Sequence, residues 1–279
     1  MQTRRKFLQT SGILAVGSFT LSSFEIMGKK IKNPGIQLYT FQKEMLADAM
    51  GTLEKLTSLG IKQIESAVSD KGFYYGLTGK EMKQACNSLG MQLRSGHVRL
   101  DDKWNEAINE AAIAEQEYLI CASLPTREPT VENYKNIAAA FNKAGRQCKD
   151  RGIKFGYHNH NFEFKQENGK VLYDVLLEET DPSLVCLELD LGWVIASGKD
   201  PIDYFFRYPG RFPLWHLKDM DITKQISTEF GKGGLDIQKM FDHSKQSGLT
   251  NFFIEQEDFT GTPLESMQEN MAYLKKIKG

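Results

Sequence analysis

The chain has 279 residues, 41% of them apolar and 25% charged, which suits one large globular domain and excludes a disordered chain. A formal net charge of −1 gives no bulk electrostatic reason to expect nucleic acid or an anionic membrane surface as a partner. Cys86, Cys121, Cys148 and Cys186 show neither a metal-knuckle nor a redox spacing, so they read as buried thiols, not as a disulfide framework.

The N-terminal segment differs from the rest. Arg4-Arg5-Lys6-Phe7-Leu8 is a basic run, followed by a mild apolar stretch from Gly12 to Leu21 that is too short to span a bilayer as a stable helix. Twin arginines before Phe-Leu resemble a twin-arginine export signal, which carries proteins already folded. Residues 1–32 are therefore expected to be signal and linker, with the mature start somewhere in residues 22–32. The protein is expected in the periplasm, without stable membrane insertion.

From Pro34 onward strand and helix patterns alternate. The expected strands are 35–40, 63–67, 92–98, 118–123, 154–160, 185–190, 213–218 and 251–257, each short, apolar and rich in β-branched or aromatic residues. Helical spacings lie between them, set by Met50, Leu53, Leu56 and Leu59 in the first and by Ile137, Ala140, Phe141 and Ala144 in the fourth. Gly60, Gly90, Gly152 and Gly248 stand where helices end, and Thr78, Asp200 and Asp236 where helix N-caps belong. Eight such repeats with no linker predict a single-domain (β/α)₈ TIM barrel over residues 33–279.

In that fold chemistry gathers at the C-terminal ends of the strands. Those ends carry Glu65, His97, His158-Asn159-His160, Glu188-Leu189-Asp190, His216-Leu217-Lys218 and Glu255-Gln256-Glu257. Side chains two apart on a strand share a face, so His158 with His160, Glu188 with Asp190, His216 with Lys218 and Glu255 with Glu257 are potentially convergent pairs. Carboxylates and imidazoles converging in a barrel mouth need neutralisation, which one divalent cation supplies. A mixed His/Asp/Glu shell suits Mn²⁺, Co²⁺, Zn²⁺ or Mg²⁺. His243 lies in Met240-Phe241-Asp242-His243 and reads as a surface residue in mid-helix.

The phrases Tyr157-His158-Asn159-His160, Asp190-Leu191-Gly192-Trp193, Trp215-His216-Leu217-Lys218-Asp219, Phe230-Gly231-Lys232-Gly233-Gly234-Leu235-Asp236 and Ile254-Glu255-Gln256-Glu257 occur in this order. The sequence from about residue 34 to the end resembles the sugar phosphate isomerase/epimerase branch of the xylose-isomerase-like barrels. The resemblance implies one divalent metal held by Glu, Asp, His and Glu from strands five to eight. Asp190, His216 and Glu255 match the last three. The strand-five Glu is replaced, so the fourth ligand is His158, or else Glu163 reaching back from the next loop. His160, Glu163 and Lys218 become candidates for general acid/base work and for binding oxyanions, with a structural ion pair to Asp219 or a neighbour as the other reading of Lys218. Glu65, His97, Trp193 and Glu257 are placed on the substrate side, Trp193 either stacking on a sugar ring or packing in the core.

The implied reaction on a small carbohydrate is proton abstraction beside a carbonyl, giving isomerisation, epimerisation or elimination. The alternatives are an exported lyase or dehydratase acting on a 3-keto-glycoside or keto-sugar, and a non-catalytic sugar-binding protein. No Gly-x-Gly-x-x-Gly follows the first strand, which argues against a dinucleotide cofactor. Beyond Gly231-Lys232-Gly233 the sequence offers no arginine cluster or glycine loop for a phosphate.

Overall fold

A computed structural model describes residues 31–278. The expected export segment, apart from its last two residues, lies outside them. Eight strands close a parallel barrel: β1 (Gly35–Gln37), β2 (Gln63–Ala67), β3 (Gln92–Val98), β4 (Tyr118–Cys121), β5 (Lys154–His158), β6 (Val185–Asp190), β7 (Leu214–Leu217) and β8 (Asn251–Ile254). Neighbours follow chain order and β1 pairs with β8 to close the ring. The single-domain TIM barrel read from the sequence is the fold.

The predicted strands run one to three residues too long at five of the eight C-terminal ends. After β1 the chain winds into a 3₁₀ turn, Leu38–Phe41, and after β7 it leaves the barrel in a hairpin pairing Asp219–Asp221 with Ile226–Thr228. His160, Lys218, Glu255 and Glu257 thus stand just beyond their strands, on the rim. A register shift at Ile64/Glu65 sets Ile64 beside Leu93 but Glu65 beside Ser95, leaving Arg94 unpaired in β3. The bulge turns Leu93 outward with Ile64 and His97 inward with Glu65 and Ala67, although Leu93 and His97 have the same parity in sequence.

The interior below the rim is filled by Tyr118, Ile120, Leu214 and Phe253 with Cys186 against them. Gly156 of β5 belongs to this layer: a Cβ there would lie 2.7 Å from Ile120 Cδ1 and 2.9 Å from Cys186 Sγ, so only glycine fits. Outside the strands a continuous apolar layer joins sheet to helices. Helix ends fall where the sequence placed them. Thr78 closes a capping box with Glu81, Asp200 and Asp236 accept N-cap bonds, and Gly60, Gly90, Gly152 and Gly248 all have positive φ.

Some details differ. Leu53 and Leu56 face the core but Met50 is exposed, and Ala138, not Ala140, continues the buried stripe of Ile137, Phe141 and Ala144. His243 is a half-buried residue at the break between helices Ile237–Asp242 and Ser244–Ser247, its Nδ1 bonded to the Lys239 carbonyl at 2.9 Å. All four cysteines are free thiols, three of them buried. Among the described residues no helix is long and apolar enough to cross a membrane.

Candidate metal centre in the barrel mouth

Inward-facing positions at the tops of six strands deliver Glu65, His97, His158, Glu188, Asp190, His216 and Glu255 to one place, all buried. His158 Nε2 and His216 Nδ1 each lie 3.9 Å from Asp190 Oδ2, and His216 Nδ1 lies 2.9 Å from Glu255 Oε2. On the opposite side of the rings His97 Nε2 meets Glu188 Oε2 at 2.7 Å and Glu65 Oε1 at 3.1 Å. Lys218, fully buried, sets its ammonium 3.1 Å from Asp190, 2.7 Å from Glu255 and 2.7 Å from Glu257. A cavity of about 320 Å³ opens over this floor, reached by His97, His158, His160, Glu255 and Glu257, with Tyr39, Arg99 and Arg127 around it. That volume is at the lower end of the range for small-molecule sites.

Local structure aims these groups. Asp190 ends β6 and caps helix Leu191–Ala196: its Oδ1 accepts the Trp193 N–H, and Oδ2 faces the Lys218 ammonium and the imidazoles. Gly192 lets that helix lie against strand seven, because a Cβ there would sit 2.7 Å from the Lys218 carbonyl oxygen. Asp219 takes backbone N–H groups from Met220, Gly231, Gly233 and Leu235, which ties down the Gly-x-Gly loop.

Buried charge of both signs is concentrated here. Four buried carboxylates, Glu65, Glu188, Asp190 and Glu255, face one ammonium and three imidazoles. Burial alone would push His97 down, but Glu65 and Glu188 outweigh it and raise it to about 9. Burial likewise opposes protonation of His216, yet Glu188 and Glu255 hold it well above the usual imidazole range. Burial together with the neighbouring imidazoles of His216, His97 and His160 pushes His158 well below that range.

The donor set fits a divalent ion. His158, Asp190, His216 and Glu255 each offer one atom, and these atoms lie within 4.8 Å of one another. Bonds of about 2.0–2.2 Å put ligand atoms on opposite sides of an ion about 4.0–4.4 Å apart, close to the spacings here. Glu188 Oε1 is buried without a hydrogen-bond partner, and Asp190 Oδ2 has the Lys218 ammonium 3.1 Å away. A second group, His97, His158, Glu188 and His216, meets the same criterion and shares two rings with the first.

The family model described as xylose isomerase-like TIM barrel matches residues 53–277. The chain belongs to that family. It is 29% identical over 167 residues to an inosose dehydratase of Clostridium tetani, a match covering 53% of this chain and 55% of that protein. The chain spans about half the length of the curated relatives it matches. A crystal structure of a sugar phosphate isomerase/epimerase from Parabacteroides distasonis superposes with TM-score 0.78 at 25% identity, covering 92% of this chain and 97% of that one. The IOLI protein, whose structure has a bound zinc atom, shares the fold at TM-score 0.69 and 13% identity, over 86% of this chain and 95% of that one.

This xylose isomerase-like barrel brings most of the sequence candidates together and relocates three. Glu163 is fully buried outside the cavity, its carboxylate taking the Tyr157 hydroxyl and the His160 backbone N–H (3.0 Å). Tyr157 packs on Phe141 in the strand–helix layer, so Glu163 lies outside the ligand group, with its Oε1 3.9 Å from His160 Nδ1, and steadies the His160 loop. The strand-five position in the ligand group is filled by His158. Trp193 lies under the Lys218 ammonium, 5.0 Å from ring centre to Nζ, and does not line the cavity, so it stacks on a cation and not on a sugar. Glu65 is also fully buried and does not line the cavity, which removes it from the substrate side. Lys218 pairs with Asp190, Glu255 and Glu257, while Asp219 is occupied by the glycine loop.

Glu188 was visible in the sequence as Asp190's partner two residues away, but the family pattern names only the Asp. Gln37, which donates to Glu65 Oε1 at 2.8 Å, carries no sequence signal. Arg99 and Arg127 are 28 positions apart and meet only in the folded mouth, where Arg127 lies over the Phe162 ring at 4.6 Å and His160 stacks on the same ring.

Proposed function

We propose that the chain is an enzyme that moves a proton at the carbon beside a sugar carbonyl, with isomerisation or epimerisation as the outcome. The reading rests on one observation: ligand-type atoms from the ends of four consecutive strands, β5 to β8, converge at the base of a cavity of small-carbohydrate size. His158, Asp190, His216 and Glu255 would hold one divalent ion. When bound, such an ion supplies Lewis acidity to adjacent hydroxyl and carbonyl oxygens, acidifying the C–H between them.

The chain's own groups supply the rest. His160 lines the cavity, and Phe162 and the Glu163–backbone bond fix its loop, so its imidazole is placed to take and return a proton. Lys218 stays an ammonium: burial opposes the charge, but Asp190, Glu255 and Glu257 hold its pKa well above the usual lysine value. It therefore serves as a fixed positive charge beside developing oxyanions, not as a base. His97 and Glu257 would orient substrate hydroxyls from opposite walls.

Elimination of water or an aglycone is the second reading. The similarity to proteins named inosose dehydratase favours it, and so does His158, which removes the strand-five carboxylate that a symmetric two-carboxylate epimerase would use. Purified protein should be offered keto-sugars and 3-keto-glycosides before and after chelation, with products resolved by mass. Ion-dependent turnover at constant substrate mass supports isomerisation, and ion-dependent loss of water or aglycone supports elimination. Binding of ion and sugar with no turnover across the panel would favour a sugar-binding protein.

We also propose periplasmic export on the basis of Arg4-Arg5-Lys6-Phe7-Leu8. Changing Arg4 and Arg5 together to lysine is expected to hold a reporter fusion in the cytoplasm, and normal export of that variant would refute the signal.

A further inference from the structure

Two overlapping groups in the barrel mouth satisfy the spacing for a cation, and they share His158 and His216. They meet opposite edges of the shared rings. His216 turns Nδ1 to Glu255 (2.9 Å) and Asp190 (3.9 Å), and Nε2 to Glu65 (2.6 Å) and Glu188 (3.2 Å). A neutral imidazole ligates through one nitrogen and keeps its proton on the other, so some neighbour must decide which. We propose that Glu65 is the positioning residue that decides it, by holding the proton on His216 Nε2 and leaving Nδ1 for an ion shared with Asp190 and Glu255. This rests on the ion site proposed above.

Glu65 meets two imidazoles, His216 at 2.6 Å and His97 at 3.1 Å, and the contact with His216 is the shorter. Glu65 is fully buried and stands behind the His216 ring, away from the cavity. Its Oε1 makes the shortest contact of His216, and a carboxylate–imidazole bond of that length is charge-assisted. The carboxylate is itself held. Gln37 Nε2 donates to the same Oε1 at 2.8 Å, while Gln37 Oε1 accepts the Tyr39 N–H at 3.0 Å, which fixes the amide's orientation. The backbone leaving β1 therefore anchors a chain that runs from Tyr39 through Gln37 and Glu65 to His216. The β2–β3 register shift beside Glu65 turns His97 to the same carboxylate from another side, at 3.1 Å. A carboxylate behind a ligating histidine fixes its tautomer and ring orientation and raises its basicity, and losing such a partner typically weakens metal affinity about 10–100-fold.

The arrangement also ranks the two groups. With the proton on Nε2, His216 cannot ligate on the Glu188 side, so the ion sits on the Asp190–Glu255 side, where Glu255 also reaches the cavity.

The ring can be read directly. In Zn²⁺-loaded wild-type protein, long-range ¹H–¹⁵N correlations of His216 are expected to place the proton on Nε2, and a proton on Nδ1 overturns the proposal without recourse to any variant. Glu65→Gln keeps the side-chain volume and is expected to bind Zn²⁺ about 10–100-fold more weakly by calorimetry. Gln37→Leu, which removes the support without touching the ring, is expected to give a smaller loss in the same direction. Unchanged Zn²⁺ affinity in Glu65→Gln contradicts the proposal, as does a larger loss in Glu188→Gln. No Zn²⁺ binding by wild-type protein removes the ion site itself and the proposal with it. Turnover enters none of these readouts, so failure of the carbonyl chemistry would leave the result standing.

Discussion

Asp190→Asn and Glu255→Gln are each expected to lose the divalent ion and, with it, turnover by at least about 10³-fold, while the barrel stays folded. A Lewis acid contributes several kcal/mol to charge development at a carbonyl, and each 1.36 kcal/mol is tenfold in rate. Asparagine is chosen because Asp190 has two jobs on two atoms: Oδ1 caps helix Leu191–Ala196 through Trp193, and Oδ2 faces His158, His216 and Lys218. An amide oxygen keeps the cap, whose removal in Asp190→Ala would cost about 1 kcal/mol. Burial raises Asp190 above the usual carboxylate range, so ion-free Asp190→Asn should unfold no earlier than ion-free wild type, whereas Glu255→Gln takes a partner from Lys218 and His216 and should unfold earlier. Metal analysis after gel filtration, run beside a thermal melt, checks both halves. Full ion retention in either variant would contradict the assigned ligand set.

Removing Lys218 is expected to expose the charge imbalance as instability. Its ammonium pairs with Asp190, Glu255 and Glu257, and withdrawing one partner from a buried pair typically costs about 3–5 kcal/mol. Lys218→Met keeps the length of the side chain and its contact with Trp193 but leaves those carboxylates uncompensated. The ion-free variant should therefore melt well below ion-free wild type, and saturating Zn²⁺ should recover most of the gap because the ion neutralises the same carboxylates. Equal destabilisation with and without ion would mean that the loss comes from packing and not from charge.

The barrel was legible because its signals are local. Thr78, Asp200 and Asp236 cap helices by their own side chains, and Gly60 or Gly152 ends them by a φ that other residues resist. Strand lengths were overestimated because Leu38, Lys218 and Glu255 fit a strand by composition, and only the absence of a neighbouring partner ends the ladder. The ligand group was legible because β5 to β8 place His158, Asp190, His216 and Glu255 at equivalent inward positions. What stayed hidden depends on direction or on long-range approach. Glu163 follows His160 by three residues, but the 3₁₀ turn Phe162–Phe164 carries its carboxylate behind the strand to Tyr157. Trp193 sits inside the Asp-x-Gly phrase, yet the helix begun at Leu191 turns its ring under Lys218. No local pattern marks Gln37 as the residue that holds Glu65, or joins Arg99 to Arg127 in one mouth.

Where a proton is removed from the substrate decides the chemistry. Keto-sugar substrate incubated in deuterated solvent with ion-loaded enzyme is expected to take up deuterium at the carbon beside the carbonyl. The exchange should stop on chelation and fall roughly 10²–10⁴-fold in His160→Ala, the usual loss when general acid/base help is removed. Turnover must be followed in the same tube, because a shielded base can return the proton it took. Substrate turned over at full rate after chelation, or at an undiminished rate by His160→Ala, would contradict that chemistry.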